Sequence, residues 1–195
     1  MCGVIYFPKL KRFMDDVVIV GGGIIGASTA YFLSKEGRKV RVFERDPTYK
    51  NASFPLSLGG FRRQFFQKEN ILLGKFAQEF IFQIPDLLET KKNGKPTVSV
   101  VPNGYLLLFD KEQADEQYEA LKNHSLCDAG TKNIKAEELS NIFPWISSEG
   151  LETATYTDSK IEGWVDPYMF HSALKNKAIE FGALFEKKEI KSINE

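Results

Sequence analysis

Three glycines near the start of the chain have the spacing G-x-G-x-x-G and directly follow the apolar run Val17–Val20. Gly21 can make a tight bend after a strand, Gly23 lacks a Cβ and leaves its backbone accessible, and Gly26 allows close packing of a helix. Glu44 lies 18 residues after Gly26, where a carboxylate can accept hydrogen bonds from ribose hydroxyls. The spacing therefore predicts a turn that holds the pyrophosphate of a dinucleotide, with Glu44 on the ribose.

A strand, a helix and a second strand must position these residues. Val17–Val20 is rich in β-branched residues, which is typical of a strand buried on both faces. The helix would end at Gly37 and direct the free N–H groups of its first turn at the phosphates. A second strand is predicted over Arg38–Arg45, with Val40 and Val42 on one face. The block thus predicts a β-α-β unit of a parallel sheet.

The same block has an alternative interpretation as a signal or transmembrane segment, because the 17 residues of Val17–Leu33 carry no charge. Four glycines, Ser28 and Thr29 interrupt that stretch, and its length is at the short limit for a bilayer span. We therefore expect no transmembrane span.

The composition is that of a globular protein with one or two small domains, since 43% of its 195 residues are hydrophobic and 27% are charged. The formal net charge of +0 does not favour nucleic acid or an anionic membrane as a partner. Cys2 and Cys127 provide neither a disulfide framework nor a metal site, and we expect Cys127 to be structural. Of the two histidines, His171 is expected to be bonded to a partner or exposed rather than catalytic.

The middle of the chain is predicted to add a different kind of sheet. The turn sequence Pro-Asn-Gly at 102–104 separates two apolar runs, which predicts a β-hairpin formed by Val98–Val101 and Tyr105–Phe109. Asp166-Pro167 is typical of a helix start. The other predicted elements are helices at Glu69 to about Lys92, kinked or divided at Pro85, at Lys111–Asn123, at Ala136–Phe143 and from Pro167 to Phe181, and strands at Ala154–Tyr156, Gly163–Val165 and Ala183–Ile193.

These elements predict an α/β fold in which a parallel nucleotide-binding sheet is interrupted by the start of an antiparallel, β-rich second domain. We expect the nucleotide-binding domain at residues 15–94 and 163–195, and part of the second domain at 95–162. Residues 1–14 are basic and contain no acidic residue, which is compatible with a targeting remnant or with the start of an incomplete chain.

Four segments in this order resemble one family: the glycine block, ASFPLSLGGFRRQF at 52–65, PNGYLLLF at 102–109 and EGWVDP at 162–167. They resemble the FAD-dependent amine and amino-acid oxidoreductases, which include D-amino-acid oxidase and sarcosine oxidase. The segments ERDPTY, LSLGG, GYLLL, FPWI and GWVDP more closely resemble a mitochondrial branch of that family that assists assembly of respiratory complex I. The resemblance runs from about Asp16 to Ile193.

The resemblance implies that the dinucleotide is FAD and that the first domain is a Rossmann-like FAD-binding domain, interrupted by a substrate domain. The cofactor-binding residues expected from the spacing and the resemblance together are Gly21, Gly23, Ile24, Ile25, Gly26, Glu44, Arg45, Ser53, Ser57, Gly59, Gly60 and Arg62. Arg62 could equally be a surface charge. Some family members attach the flavin to a histidine in this loop, and residues 51–64 contain none, which implies noncovalent FAD.

The family's activity implies hydride transfer to FAD from the carbon beside the nitrogen of a small amine or amino-acid substrate. A non-catalytic, flavin-bearing assembly protein and an NAD-dependent dehydrogenase stay open as alternatives, although the Ser/Gly-rich loop favours FAD over NAD. The closer resemblance implies a mitochondrial location and intermediates of complex I assembly as partners. Family members are longer than this chain, so we expect an N-terminal portion of such a protein, and we assign no catalytic residue.

Overall fold

The computed structural model describes residues 4–6, for which it gives the backbone alone, and residues 16–192. The chain forms two compact units. Unit 1 comprises residues 1–59, 83–99 and 166–195, and unit 2 comprises residues 60–82 and 100–165.

The strands and helices of the described residues are numbered in chain order. The strands are β1 Val4–Tyr6, β2 Val17–Val20, β3 Val40–Glu44, β4 Gly60–Phe61, β5 Val100–Val101, β6 Leu106–Phe109, β7 Thr131–Lys135, β8 Thr153–Thr157, β9 Gly163–Val165 and β10 Leu184–Lys187. The helices are α1 Ile24–Lys35, α2 Lys68–Phe82, α3 Ile84–Leu87, α4 Lys111–Leu126, α5 Ala136–Ile142 and α6 Pro167–Glu180.

Unit 1 is built on a four-stranded sheet with the order β1-β2-β3-β10. β2, β3 and β10 are parallel, and β1 pairs antiparallel with β2. α1 and α6 pack against each other, and both helices present small side chains to the core, which permits a close approach. The buried apolar side chains of this layer are Val17, Ile19, Ala27, Ala30, Tyr31, Val40, Val42, Ala173, Leu174 and Ala178. The predicted α/β class with a parallel sheet is confirmed.

The ends of the two helices in unit 1 follow from local sequence. Gly37 has a φ of +77°, which favours glycine, and its N–H donates to the Ser34 carbonyl over 2.9 Å at the end of α1. At the start of α6, the Asp166 carboxylate accepts a 2.7 Å hydrogen bond from the Met169 N–H, and Pro167 is the first helical residue. Both predicted helix boundaries are confirmed.

Unit 2 contains two antiparallel three-stranded sheets, with the orders β4-β9-β5 and β6-β8-β7. Ile134, Leu139 and Ala154 form the centre of one apolar cluster. Glu162 is also fully buried, and its carboxylate accepts hydrogen bonds from the Gln64 side chain over 2.8 Å and the Thr157 hydroxyl over 2.6 Å. Its other donors are the backbone N–H groups of Arg63 and Gln64. The buried charge is thus well satisfied.

The predicted β-hairpin is wrong. β5 pairs with β9, whereas β6 pairs with β8, so the two apolar runs lie in different sheets. A Cβ on Gly163 would lie 2.1 Å from the Val101 carbonyl oxygen, so glycine in β9 permits this close pairing with β5. The N–H of Gly104 donates over 2.8 Å to the Glu162 carbonyl instead of closing a turn between the two runs. The sequence pattern also misses β4 and β7, because β4 has two residues and β7 is mostly polar.

Other expectations have mixed outcomes. The division of the helical region at Pro85 is confirmed, because α2 ends at Phe82 and α3 begins at Ile84.

The domain division at residues 94 and 162 stays a prediction, whereas the chain passes from one compact unit to the other after residues 59, 82, 99 and 165. The prediction for residues 1–14 lies outside the described residues, apart from the backbone of β1. Within the described ranges, no helix has the length and apolar character needed to cross a bilayer.

Candidate dinucleotide site

Unit 1 contains a cleft of about 680 Å³ at the carboxyl ends of β2 and β3. Carboxyl ends of parallel strands meet at one edge of a sheet, where ligands of α/β proteins bind. Residues of the loop at 49–54 and residues 188–190, which follow β10, also line the cleft. The lining residues include Gly21, Gly23, Ile24, Ile25, Glu44, Arg45 and Ser53 from the predicted cofactor-binding set.

The three glycines of the turn have separate structural roles. Gly21 has a φ of +94°, which a residue with a side chain adopts only with strain. A Cβ on Gly26 would lie 1.9 Å from the Gly21 carbonyl oxygen, so α1 can approach β2 only with glycine at this position. A Cβ on Gly23 would instead stand in the cleft, and its nearest neighbour would be the Phe54 ring at 3.8 Å. The backbone at Gly23 is therefore open to a ligand.

Gly23 is also the N-cap of α1, and no side chain caps the helix there. The Gly23 carbonyl accepts the first helical hydrogen bond, from the Ala27 N–H over 2.8 Å. The N–H groups of a first helical turn have no acceptor within their helix, and the helix dipole makes that end positive. The first turn of α1 contains no acidic residue that would compete for these donors. The arrangement suits an anion such as a pyrophosphate.

Glu44 occupies the last position of β3 and holds the glycine turn directly. One carboxylate oxygen accepts a 2.7 Å hydrogen bond from the Gly22 N–H, and the other accepts a 2.8 Å bond from the Asp46 N–H. Each oxygen keeps a further lone pair, so the carboxylate can still accept from ribose hydroxyls. Lys188 joins the same edge, because its N–H donates to the Glu44 carbonyl over 3.0 Å. The residues of the cleft therefore fit an adenosine diphosphate group.

Five predicted residues lie elsewhere. Gly26 packs beneath the turn, and Ser57 and Gly59 belong to unit 1 but do not line the cleft. The Ser57 hydroxyl donates to the Phe54 carbonyl over 2.7 Å. Gly60 and Arg62 belong to unit 2, where the Arg62 guanidinium lies 4.8 Å from the centre of the Phe65 ring. Their roles in cofactor binding stay predictions.

A buried layer beneath the glycine turn was not predicted from the sequence. His171 of α6 is 1% exposed, and its Nε2 lies 2.7 Å from the Gly22 carbonyl oxygen. Its ring stacks on Phe54 and meets the edge of Tyr49, with 4.4 Å between ring centres in both pairs. Lys175 donates to the Tyr49 hydroxyl over 3.2 Å. His171 shares the buried side of α6 with Leu174 and Ala178, three and seven residues further on, and that spacing could have revealed its burial.

The layer is electrostatically unusual. Burial, and then the positive charge of Lys175, lower the pKa of His171, although its bond to the Gly22 carbonyl opposes the shift. Burial also lowers the pKa of Lys175, while burial and the Glu44 carboxylate raise the pKa of Tyr49 to about 12. Neutral forms of His171 and Tyr49 therefore prevail at neutral pH. Within the described parts of the chain, no cluster of His, Cys, Asp and Glu is arranged to hold a metal ion.

A sequence profile described as FAD dependent oxidoreductase matches residues 16–195. The chain belongs to this family of FAD-dependent oxidoreductases. FAD is accordingly the cofactor that the glycine turn and Glu44 are expected to hold.

The names of similar proteins are consistent with this family. The chain is 40% identical over 172 residues to FAD-dependent oxidoreductase domain-containing protein 1 of Xenopus laevis, covering 86% of this chain and 34% of that protein. It is 37% identical over 181 residues to the protein of the same name from Bos taurus, covering 90% and 37%. The chain thus spans about a third of the length of these relatives.

Solved structures share the fold of this chain. L-proline dehydrogenase from P. horikoshii superposes with a TM-score of 0.72 at 27% identity, covering 89% of this chain and 44% of that one. Glycine oxidase from Geobacillus kaustophilus gives a TM-score of 0.67 at 20% identity, covering 87% and 45%, and shows the fold alone.

Proposed function

We propose that unit 1 holds the adenosine diphosphate half of noncovalently bound FAD, as part of an oxidoreductase that acts on an amine or amino-acid-like substrate. The observation that carries this proposal is the cleft in which an open glycine backbone, a helix start and the Glu44 carboxylate face the same space. The Gly23 backbone and the first turn of α1 bind the pyrophosphate, and Glu44 accepts from the ribose hydroxyls. FAD, when bound, supplies a two-electron acceptor for a hydride.

The substrate class is supported by the name of one similar protein of known structure. L-proline dehydrogenase, at 27% identity and a TM-score of 0.72, acts on an amino acid according to its name. A hydride leaving the carbon beside the nitrogen of such a substrate is the reaction that we propose. The chain's own contribution is to bind and orient the cofactor through unit 1.

Noncovalent attachment is supported by the sequence of the loop that returns toward the cofactor, because residues 51–64 include no histidine. The test is to load the 195-residue chain with FAD and precipitate it with acid. All flavin absorbance should appear in the supernatant, and flavin retained in the pellet would contradict the proposal. Titration with ADP, FAD and NADH tests the site itself: tight NADH binding without FAD binding would favour the NAD-dependent alternative.

A second candidate function is that of a non-catalytic, flavin-bearing assembly protein. One observation favours it: apolar side chains on α2 are exposed, with Leu73 exposed to 65% and Phe76 to 54%. Anaerobic mixing of the complete, FAD-loaded protein with a panel of amines and amino acids distinguishes the two functions. Bleaching of the flavin supports the oxidoreductase, and a flavin that stays oxidised with every substrate supports the assembly protein.

The biological setting that we propose is the mitochondrion, with complex I assembly intermediates as partners. Its support is the resemblance of the segments ERDPTY, LSLGG, GYLLL, FPWI and GWVDP to a mitochondrial branch of the family. Subcellular fractionation tests the location, and the amount of assembled complex I in cells that lack the protein tests the partnership. A protein absent from mitochondria would refute both.

A further inference from the structure

The backbone of Gly22 is held at its N–H and at its carbonyl by side chains distant in the sequence. Its N–H donates to the Glu44 carboxylate over 2.7 Å, and its carbonyl oxygen lies 2.7 Å from Nε2 of His171. A carbonyl oxygen can only accept a hydrogen bond, so Nε2 of His171 must carry the proton. The histidine is therefore a donor aimed at the turn that lines the cleft.

Peptide geometry transmits this contact to the next residue. The peptide group is planar and trans, so the Gly22 carbonyl and the Gly23 N–H point in opposite directions in one plane. Because the carbonyl is directed at the buried His171 ring, the Gly23 N–H is directed away from that ring. Gly23 lines the cleft, and among the described residues no acceptor for its N–H is found.

The imidazole itself is fixed in place and in charge. Phe54 stacks on one face of the ring and Tyr49 meets it edge-on. The titratable groups that face it are Lys175, which is on its own helix, together with Tyr49 and Glu44 from unit 1. Burial and Lys175 lower the pKa of His171, so the ring is neutral at neutral pH and holds its one proton on Nε2.

We propose that His171 is a positioning residue of the dinucleotide site: by donating its Nε2–H to the Gly22 carbonyl, it turns the Gly23 N–H toward the pyrophosphate. The inference rests on the proposed cofactor site and adds a residue that the glycine motif does not contain. His171 acts through the backbone of the turn and needs no contact with the cofactor.

Two substitutions distinguish the contribution of the Nε2–H donor of His171 from that of its aromatic contacts. His171→Gln keeps an N–H donor near the position of Nε2 but loses the aromatic contacts. His171→Phe keeps the stack on Phe54 but has no donor. The dissociation constant for ADP, measured by calorimetry on the 195-residue chain, should rise tenfold or more in His171→Phe and less than threefold in His171→Gln. The thermal midpoint of the ligand-free chain should fall more in His171→Gln, which loses the aromatic contacts, than in His171→Phe, which keeps the stack on Phe54.

Adenosine serves as a second probe because it lacks the pyrophosphate. Its affinity should be the same in His171→Phe as in the unaltered chain, since only the phosphate donor is misdirected. His124 of unit 2 gives a matched control: it is also buried, and its Nε2 lies 2.9 Å from the Phe65 carbonyl. His124→Phe should lower stability without changing the ADP affinity.

The outcomes distinguish the inference from the proposed function. Equal ADP affinity in His171→Phe and the unaltered chain would refute the positioning role, as would an equal loss for ADP and adenosine. An unaltered chain that binds neither ADP nor FAD would refute the cofactor site and, with it, the role of His171. Nitrogen-15 spectra of the histidines provide a test that does not depend on variants folding, because an imidazole protonated on Nδ1 alone would also overturn the inference.

Discussion

Alanine at Gly23 should weaken binding with little change in stability, whereas alanine at Gly26 should lower stability. Gly23 has φ −63° and ψ −170°, which alanine adopts readily, and its Cβ would meet only the Phe54 ring at 3.8 Å. The unfolded chain loses conformational freedom when alanine replaces glycine, which stabilises the folded protein by about 0.4–1 kcal/mol, but alanine is less favourable than glycine at the N-cap of a helix. The two effects oppose each other, so Gly23→Ala should change the stability of the ligand-free protein by less than about 1 kcal/mol. The added methyl group, however, stands where the pyrophosphate approaches.

The loss of binding can be bounded from the contacts. If the methyl group prevents one hydrogen bond between the Gly23 N–H and a charged phosphate, the cost is about 1.5–3 kcal/mol. That corresponds to a rise of roughly tenfold to a hundredfold in the dissociation constant for ADP. Gly23→Ala should therefore be about as stable as the unaltered chain and bind ADP much more weakly.

Gly26 lies in α1, where helix propensity alone favours alanine over glycine by about 1 kcal/mol. The structure predicts the reverse, because the Cβ would lie 1.9 Å from the Gly21 carbonyl oxygen and 3.4 Å from an Ile19 methyl group. The close neighbour is backbone, which cannot rotate away as a side chain can. Overpacking of this kind costs about 1–3 kcal/mol, occasionally more, so Gly26→Ala should lower the free energy of unfolding.

Urea unfolding and ADP calorimetry on the same preparations provide the assay. Gly37→Ala serves as a control, since it places strain at a φ of +77° but lies outside the cleft, and it should lower stability and leave ADP affinity unchanged. Unchanged ADP affinity in Gly23→Ala would refute the assignment of this backbone to the pyrophosphate. Unchanged stability in Gly26→Ala would refute the close approach of α1 to β2.

Three further predictions follow from other contacts. Glu44→Ala should weaken ADP binding roughly tenfold to a hundredfold in calorimetry, because the carboxylate supports both the Gly22 N–H and the ribose, and a change below threefold would contradict this role. Burial lowers the pKa of His124 and His171, so the unfolded chain binds more protons than the folded chain below about pH 6.5. The free energy of unfolding should therefore fall as the pH falls through that range. A stability that rises on acidification would be inconsistent with the buried histidines. Glu162→Leu should cost unit 2 about 3 kcal/mol or more in urea unfolding, since several buried donors lose their acceptor, and a loss below about 1 kcal/mol would show that these donors find other partners.

The sequence alone determined the β-α-β block and the chemistry of its turn. Gly21 and Gly26 have the structural roles that their spacing predicted and the backbone at Gly23 is open, whereas pyrophosphate binding there stays a prediction. The start of α6 at Asp166 and Pro167 was likewise predicted from the sequence. These features depend on residues close together in the chain, where backbone freedom, capping and periodicity act directly.

Only the tertiary structure decided which distant segments meet. The runs around residues 102–104 look like a hairpin, yet β5 and β6 find partners more than forty residues away in β9 and β8. His171 carries no local signal for its contact with Gly22, which is 149 residues away in the chain. Such pairings are selected by burial and hydrogen-bond satisfaction over the whole fold, and a local sequence pattern does not record which buried donor will face which carbonyl.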